Sequence, residues 1–363
     1  MEKLRINETP VRTSRNFLIN NIEVDLEMPE KIAKFKNVQI IKETSNTEKD
    51  VSQTKEDSEA KIENNTSTEP LTYGIGKIVE ELNYETANSK IKIQTSTKKE
   101  NIKIIYDFDS NNLNLINQIE IIANGNTNVI IEYKSKTSEK CFHNGIIRTI
   151  AKENAQLNVT IVNLLNEESN NFEAIENKLE KNSKVNYTII DIGAKTSVSN
   201  YYSNIIGENA QNDLKSIYLG INKQKKDLNY IAELKGEKTN IDIDVQGALK
   251  DEAKKNFKGT IDFKKGAKKA KGNENEYCML LSNKAKSIAL PMLLCTEEDV
   301  EGNHSTASGK VDEKQLFYIM TRGISYKEAV KLIVKSKFNK IIERISDEDL
   351  KNEILNEIDK RLD

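Results

Sequence analysis

The chain has 363 residues, 55 Lys and Arg against 57 Asp and Glu, a formal net charge of −2, no Trp and 6% aromatic residues. That length allows a sizeable core in one large domain or two to three smaller ones, and the balanced charge argues against a whole-protein attraction to nucleic acid or membrane. Three scattered cysteines (Cys141, Cys278 and Cys295) with no CxxC pair exclude a disulfide framework. The opening MEKLRINETP lacks the apolar core of a signal peptide, and no run approaches membrane-spanning length, which predicts a reduced, cytoplasmic protein.

In chain order, residues 1–42 form an N-terminal segment with some apolar content, where Pro29 predicts a short helix over Glu30–Phe35. Residues 43–70, ETSNTEKDVSQTKEDSEAKIENNTSTEP, are almost devoid of large apolar side chains. They cannot bury enough surface to offset their ordering entropy and read as a flexible linker. Beyond Tyr73 the pattern turns to alternation, in KIKIQTS, NIKIIYDFD, NVIIEYK, LNVTIVNLL, VNYTIID, NIDIDVQG and GTIDF. Period two with β-branched residues predicts strands.

Small polar turns separate these strands at a steady interval. The fourth residues of six such turns are Asn126, Asn154, Asn182, Asn209, Glu237 and Gly266, at spacings of 28, 28, 27, 28 and 29. A strand–turn–strand unit repeating at that period predicts a β-solenoid over residues 71–290, each unit burying its apolar face against its neighbours. Asn and Gly at the corners suit left-handed backbone angles. A meandering antiparallel β-domain is the alternative.

After Pro291 the solenoid is expected to end, and residues 291–363 carry three helix starts. Asp312 opens a capping box to Gln315, with Gly323 closing that helix; Ser325 opens another to Glu328; Ser346 or Asp347 caps the last, where Leu350, Ile354, Ile358 and Leu362 step by four along one face. The resulting small helical domain has apolar stripes that need covering.

Catalytic signatures are absent from the sequence: there is no GxxxxGK[ST], no GxGxxG after a strand, and no HExxH, GxSxG or SxxK in its required context. Cys141 and His143 stand two apart, but two ligands are too few for a stable metal site; Cys141 reads as core and His143 as a surface or turn residue. The acidic group Glu297, Glu298, Asp299 and Glu301 reads as a solvated loop. Two other classes stay open at this point. One is a solenoid enzyme of the acyltransferase or polysaccharide lyase kind; its discriminating features, a six-residue rhythm or a secretion signal, are missing. The other is a structural repeat protein.

The run NEYCMLLSNKAKSIALPMLLCTEEDVEGNHSTASGKVDEKQLFYIMTRGISYKEAVKLIVKSKF then becomes informative. Leu280-Leu281-Ser282, Ala285, Pro291, Asp299-Val300, His304, Gly309, Val311-Asp312, Gln315-Leu316-Phe317-Tyr318 and Arg322-Gly323-Ile324 fall in fixed order. This stretch resembles the C-terminal signature of the SufB/SufD family of iron–sulfur cluster assembly proteins, and TPVRTSRNF resembles the family's N-terminal entry. The resemblance implies a right-handed parallel β-helix with a small C-terminal helical domain. It further implies a non-catalytic scaffold subunit, closest in kind to SufD, that pairs with a SufB-type paralogue (or with a second copy of itself when that paralogue is missing). The helical tail would dock a SufC-type ABC ATPase. By the same resemblance His304 lies at the cluster-assembly interface and is a candidate iron ligand, a role a neutral imidazole suits. Phe317, Tyr318 and Arg322 belong to the unit that contacts or supports the ATPase, although Phe317 and Tyr318 could equally be core anchors. No firmly bound cofactor is expected, only a transient iron–sulfur cluster shared with the paralogue. Gly302 stands where many family members have a cysteine two residues before this histidine, so this segment cannot supply a thiolate–imidazole pair.

Overall fold

A computed structural model of the chain describes residues 3–13, 19–25, 29, 32–44 and 61–363. Strands β1 (Lys3–Ile6) and β2 (Ile22–Asp25) form an antiparallel hairpin. The following strands divide between two nine-stranded sheets. The first holds β3 (Val38–Thr44), β6 (Glu100–Phe108), β8 (Asn126–Ser135), β10 (Gln156–Leu164), β12 (Lys184–Asp191), β14 (Gln211–Gly220), β16 (Asn240–Leu249), β18 (Ala270–Leu280) and β20 (Val300–Lys310). The second holds β4 (Lys61–Glu63), β5 (Ser89–Gln94), β7 (Asn114–Ala123), β9 (Phe142–Ala151), β11 (Asn170–Leu179), β13 (Thr196–Ile205), β15 (Lys225–Leu234), β17 (Lys254–Phe263) and β19 (Lys286–Cys295). From β5 onward every neighbouring pair is parallel, so the chain is a parallel β-solenoid and not an antiparallel meander.

Each coil contributes one strand to each sheet. Asn126, Gln156, Lys184, Gln211, Asn240, Lys271 and Glu301 lie at equivalent positions, at intervals of 30, 28, 27, 29, 31 and 30. The corners explain the rhythm. Asn154, Asn182 and Asn209 take φ of 63°, 55° and 58°, and their side chains stack, Asn182 Nδ2 donating to Asn154 at 3.1 Å and Asn209 Nδ2 to Asn182 at 3.2 Å. Asn is the side chain that tolerates this region best after glycine. Farther along, the left-handed position passes to Lys238 (φ 55°) in place of Glu237, and Gly266 (φ 101°) shares its corner with Lys269 (φ 58°). Asn126 is not a corner residue at all; it begins β8.

Alternation sends one set of side chains into the lumen. A single inward row reads Ile102, Val129, Val159, Tyr187, Leu214 and Ile243 across six coils, and all six are buried. Full burial of such a side chain stabilises by roughly 1.5–3 kcal/mol, which makes the stacked rows the main source of fold stability. On the outside of the first sheet, Asn128, Asn158 and Asn186 each donate an amide to the asparagine one coil back, at 2.7 Å, starting from Asn101.

Helices cover the outer faces. Helix α1 (Lys77–Thr86), which the alternation beyond Tyr73 did not foretell, lies with the β1–β2 hairpin on the second sheet. After α2 (Glu313–Met320), helices α3 (Tyr326–Ile342) and α4 (Glu348–Leu362) pack on the first sheet, where Val162, Ile190, Ile217 and Leu219 meet Ile333, Phe338, Ile354 and Ile358. The stripe Leu350, Ile354, Ile358 and Leu362 is buried there. The caps are the expected ones: Asp312, Ser325 and Asp347 accept from Lys314, Glu328 and Leu350 backbone N–H groups.

Three boundaries differ from expectation. The solenoid does not end near Pro291 but continues through Lys310, because β19 and β20 keep the parallel register of β17 and β18. Before residue 71, β3 and β4 join the two sheets antiparallel to β6 and β5, and Thr66 and Ser67 hydrogen-bond Gln118 and Glu120 on the sheet surface. The linker expected over 43–70 is therefore ordered at 61–70, and its residues 45–60 lie outside the described residues. Residues 32–35 are not helical, and the rest of the helix expected over 30–35 falls on residues 30 and 31, outside the described residues.

Candidate functional site

The two ends of the solenoid are finished differently. At the N-terminal end β3 and β4 extend the two sheets antiparallel to β6 and β5, with Ile40 and Ile41 of β3 38% and 43% exposed, and buried Phe35 packs edge-on against Tyr106 and Phe108, with centroids 5.9 and 5.2 Å apart. At the C-terminal end no described element covers β19 and β20. Eight of the eleven residues of β20 are exposed, and β19 leaves Ile288 44% exposed and Leu290 and Leu293 half-buried. The last coil therefore presents two open strand edges and an uncovered apolar rim.

His304 sits at this end. It is an exposed residue of β20, not of a loop, and its register partner on β18 is Glu274. Around it, Ser305 Oγ donates to Asn275 at 2.6 Å, and Glu301 pairs with Lys271 at 3.0 Å. Glu297 accepts from the Gly266 N–H at 2.9 Å, so that part of the acidic group braces a corner. Exposed Cys295 donates to the Glu297 carbonyl.

Phe317, Tyr318 and Arg322 form a second feature, on α2 and its C-terminal end. Phe317 is 70% exposed and Tyr318 58%, which rules out the core-anchor alternative. The Arg322 guanidinium lies 4.4 Å from the centre of the Tyr318 ring and donates to its hydroxyl, a pairing that holds both side chains outward. Of the three, Phe317 borders, with Met320 and Tyr326, an open groove of about 770 Å³ between α2, α3 and the loop after β18, floored by Leu280, Leu281 and Val330.

His143 corrects the sequence reading. It is fully buried in the lumen, its Nδ1 and Nε2 2.5 and 2.8 Å from the side-chain oxygens of Asn171 and Asn117. Burial pushes its pKa down to about 4, against the Asn171 hydrogen bond. Cys141 is core, as expected. Among the described residues no group of three or more His, Cys, Asp or Glu side chains is placed to hold a metal ion.

Sequence reasoning also missed a set of buried charges. Lys226 pairs with Asp191 at 2.8 Å and Lys255 with Glu276 at 2.7 Å inside the lumen; Lys258 pairs with Asp227 at 2.6 Å beneath the N-terminal hairpin, where Asn7 bonds both. A signal was present. In KKDLNY and KKNFKG, alternation inward through Leu228, Tyr230 and Phe257 puts Lys226 and Lys255 on the apolar face.

A parallel β-solenoid finished by antiparallel strands at one end and flanked by a docked helical tail defines the structural class. Residues 107–337, more than half of the chain, match the family model for the SufBD core domain of SUF-system iron–sulfur cluster assembly. The chain belongs to the SufBD family. It is 25% identical over 265 residues to the iron–sulfur cluster assembly protein SufD of Bacillus subtilis, covering 72% of this chain and 61% of that protein. It is 31% identical over 186 residues to a SufBD family protein of Pyrococcus horikoshii, covering 50% and 41%. A Staphylococcus saprophyticus member is 25% identical over 197 residues, 54% and 42% of the two chains. The chain thus spans less than two thirds of the length of these relatives.

Proposed function

We propose that this chain is a non-catalytic, SufD-like scaffold subunit of cytoplasmic iron–sulfur cluster assembly. It pairs end-on with a SufB-type paralogue and docks a SufC-type ATPase on its helical tail. The asymmetry of the ends carries this reading. Unpaired strand edges are templates for another chain, and β19 and β20 offer two adjacent ones in the parallel register of the stack, whereas the other end is finished by antiparallel β3 and the three-residue β4. A partner strand set against β19 and β20 would satisfy their outer N–H and C=O groups and cover Ile288, Leu290 and Leu293. In that pairing His304 faces the junction, where its imidazole is suited to hold iron of a nascent cluster, the cargo of the assembly. Without the paralogue, a second copy of this chain fits the same edges.

The exposed rings of Phe317 and Tyr318, with the groove beside Phe317, are suited to an apolar knob of the ATPase. No helix among the described residues is long and apolar enough to cross a membrane.

Co-expression with the paralogue and the ATPase, followed by size-exclusion chromatography, tests the reading; one peak containing all three is expected, and separate elution under those conditions overturns it. In the same assay Phe317→Ala with Tyr318→Ala should lose the ATPase and keep the paralogue. Because both side chains are exposed, stability should stay within about 0.5 kcal/mol of the parent.

A further inference from the structure

The inward row that begins with Ile102 and runs apolar through Ile243 ends in Glu274 and then His304. Glu274 is fully buried, and among the described residues neither of its carboxyl oxygens has a hydrogen-bond partner. Burying a polar group without a partner costs several kcal/mol, so this residue lacks a packing rationale. The opposite wall makes room for it. A Cβ on Gly259 would come 2.1 Å from Glu274 Oε1, so the carboxyl fills the space a side chain would need.

The buried lysine beside it in the lumen is already engaged. Lys255 Nζ lies 2.7 Å from Glu276 Oε1, which also accepts from the Tyr218 hydroxyl at 2.7 Å, while Glu276 Oε2 has no partner. Lys255 is thus committed to Glu276, and among the described residues no cation pairs with Glu274. Directly above it lies the last coil, which nothing described covers.

We propose that Glu274 is a second protein ligand, with His304, for a divalent metal ion admitted through the open mouth of the lumen. The proposal rests on the cargo-holding role given to His304 above. Register partners on adjacent parallel strands stand about 5 Å apart and point to the same face, close enough for two side chains to share one ion. A carboxylate oxygen and an imidazole nitrogen suit first-row divalent ions. Two protein ligands leave the remaining positions to water or to an end-on partner. That arrangement fits an ion loaded and passed on rather than one kept as a structural part.

The test is titration of the purified full chain with Co²⁺ under anaerobic conditions, read by visible absorption and equilibrium dialysis. The parent chain should take up one ion per chain, and Glu274→Gln and His304→Ala should each weaken uptake by about tenfold or more. Glu274→Gln should melt no lower than the parent, since it removes an unpartnered acid. Gly259→Ala, which drives a methyl into the carboxyl's seat while leaving both ligands present, should also weaken uptake. Uptake by Glu274→Gln and Gly259→Ala equal to that of the parent overturns the inference. If His304→Ala alone loses the ion, the role of His304 stands and that of Glu274 falls. If the parent takes up none, the metal site falls while the scaffold reading still answers to co-purification.

Discussion

Glu173 shows what a single lumen residue does to the whole stability profile. It is buried, one oxygen lacks a partner, and burial holds its pKa up at about 8, against 4.5 for a free glutamate. Between those values the folded chain keeps a proton that the unfolded chain has released. Its contribution to stability is therefore complete below the unfolded value and declines as pH rises toward 8, by about 1.4 kcal/mol per pH unit. Thermal melting followed across that window should show a shallower decline in Glu173→Gln than in the parent. His143 acts in the opposite sense. Its folded pKa of about 4 lies below the ordinary 6.5, so its contribution is lost as pH falls through that interval. The buried pairs Lys226–Asp191 and Lys255–Glu276 add a further demand, because removing either member leaves an uncompensated charge in an apolar lumen.

The helical tail is held to the solenoid by more than its apolar stripe. Asp347 caps α4 by accepting from the Leu350 N–H at 2.9 Å and also pairs with Lys103 of β6 at 2.7 Å. Lys103 and Lys134 flank buried Glu132 at 2.6 and 2.5 Å, and Lys134 reaches on to Glu353. One carboxylate of the sheet thus organises two lysines that clasp the first turns of α4. Loss of the cap alone costs about 1 kcal/mol, and the broken ion pair adds to it. Asp347→Ala should therefore lower the urea midpoint modestly and speed amide exchange across α4 while leaving the central coils unchanged. Equal exchange in parent and variant would mean that the apolar face alone sets the docking. By contrast α2 turns Phe317 and Tyr318 to solvent, and its one buried apolar anchor is Leu316.

At the scale of the whole molecule, a solenoid is stabilised by neighbours on both sides of each coil, and a terminal coil has only one. Here the N-terminal coil packs against β3, β4 and Phe35, and no described element packs on the far side of the last coil. Amide exchange in the isolated chain should consequently be fastest in β19 and β20 and slow steeply toward β10. Adding the paralogue should protect those two strands more than any other part of the solenoid. Protection confined to the outer helices would place the partner elsewhere.

Much of this architecture is written locally. Period-two alternation, asparagines recurring about every 28 residues and three capping residues at Asp312, Ser325 and Asp347 are each decided within one unit of chain, by strand pleat, left-handed corners and orphan N–H groups. The signature around His304 and the coil rhythm together made the family legible before any coordinates. What the sequence could not specify depends on which side of a strand meets another coil. The EGNHSTASG segment looks like a polar loop because no described element covers it, yet register with β18 makes it the last strand of its sheet. His143 looks like a surface residue because its partners Asn117 and Asn171 come from the coils before and after it on the same sheet. Local pattern determined the coil; the stacking of coils alone decided which polar side chains are sealed in and which, at the uncovered end, remain within reach of a partner. Burial and hydrogen bonding between residues a full turn apart are properties of the stack and of no single strand.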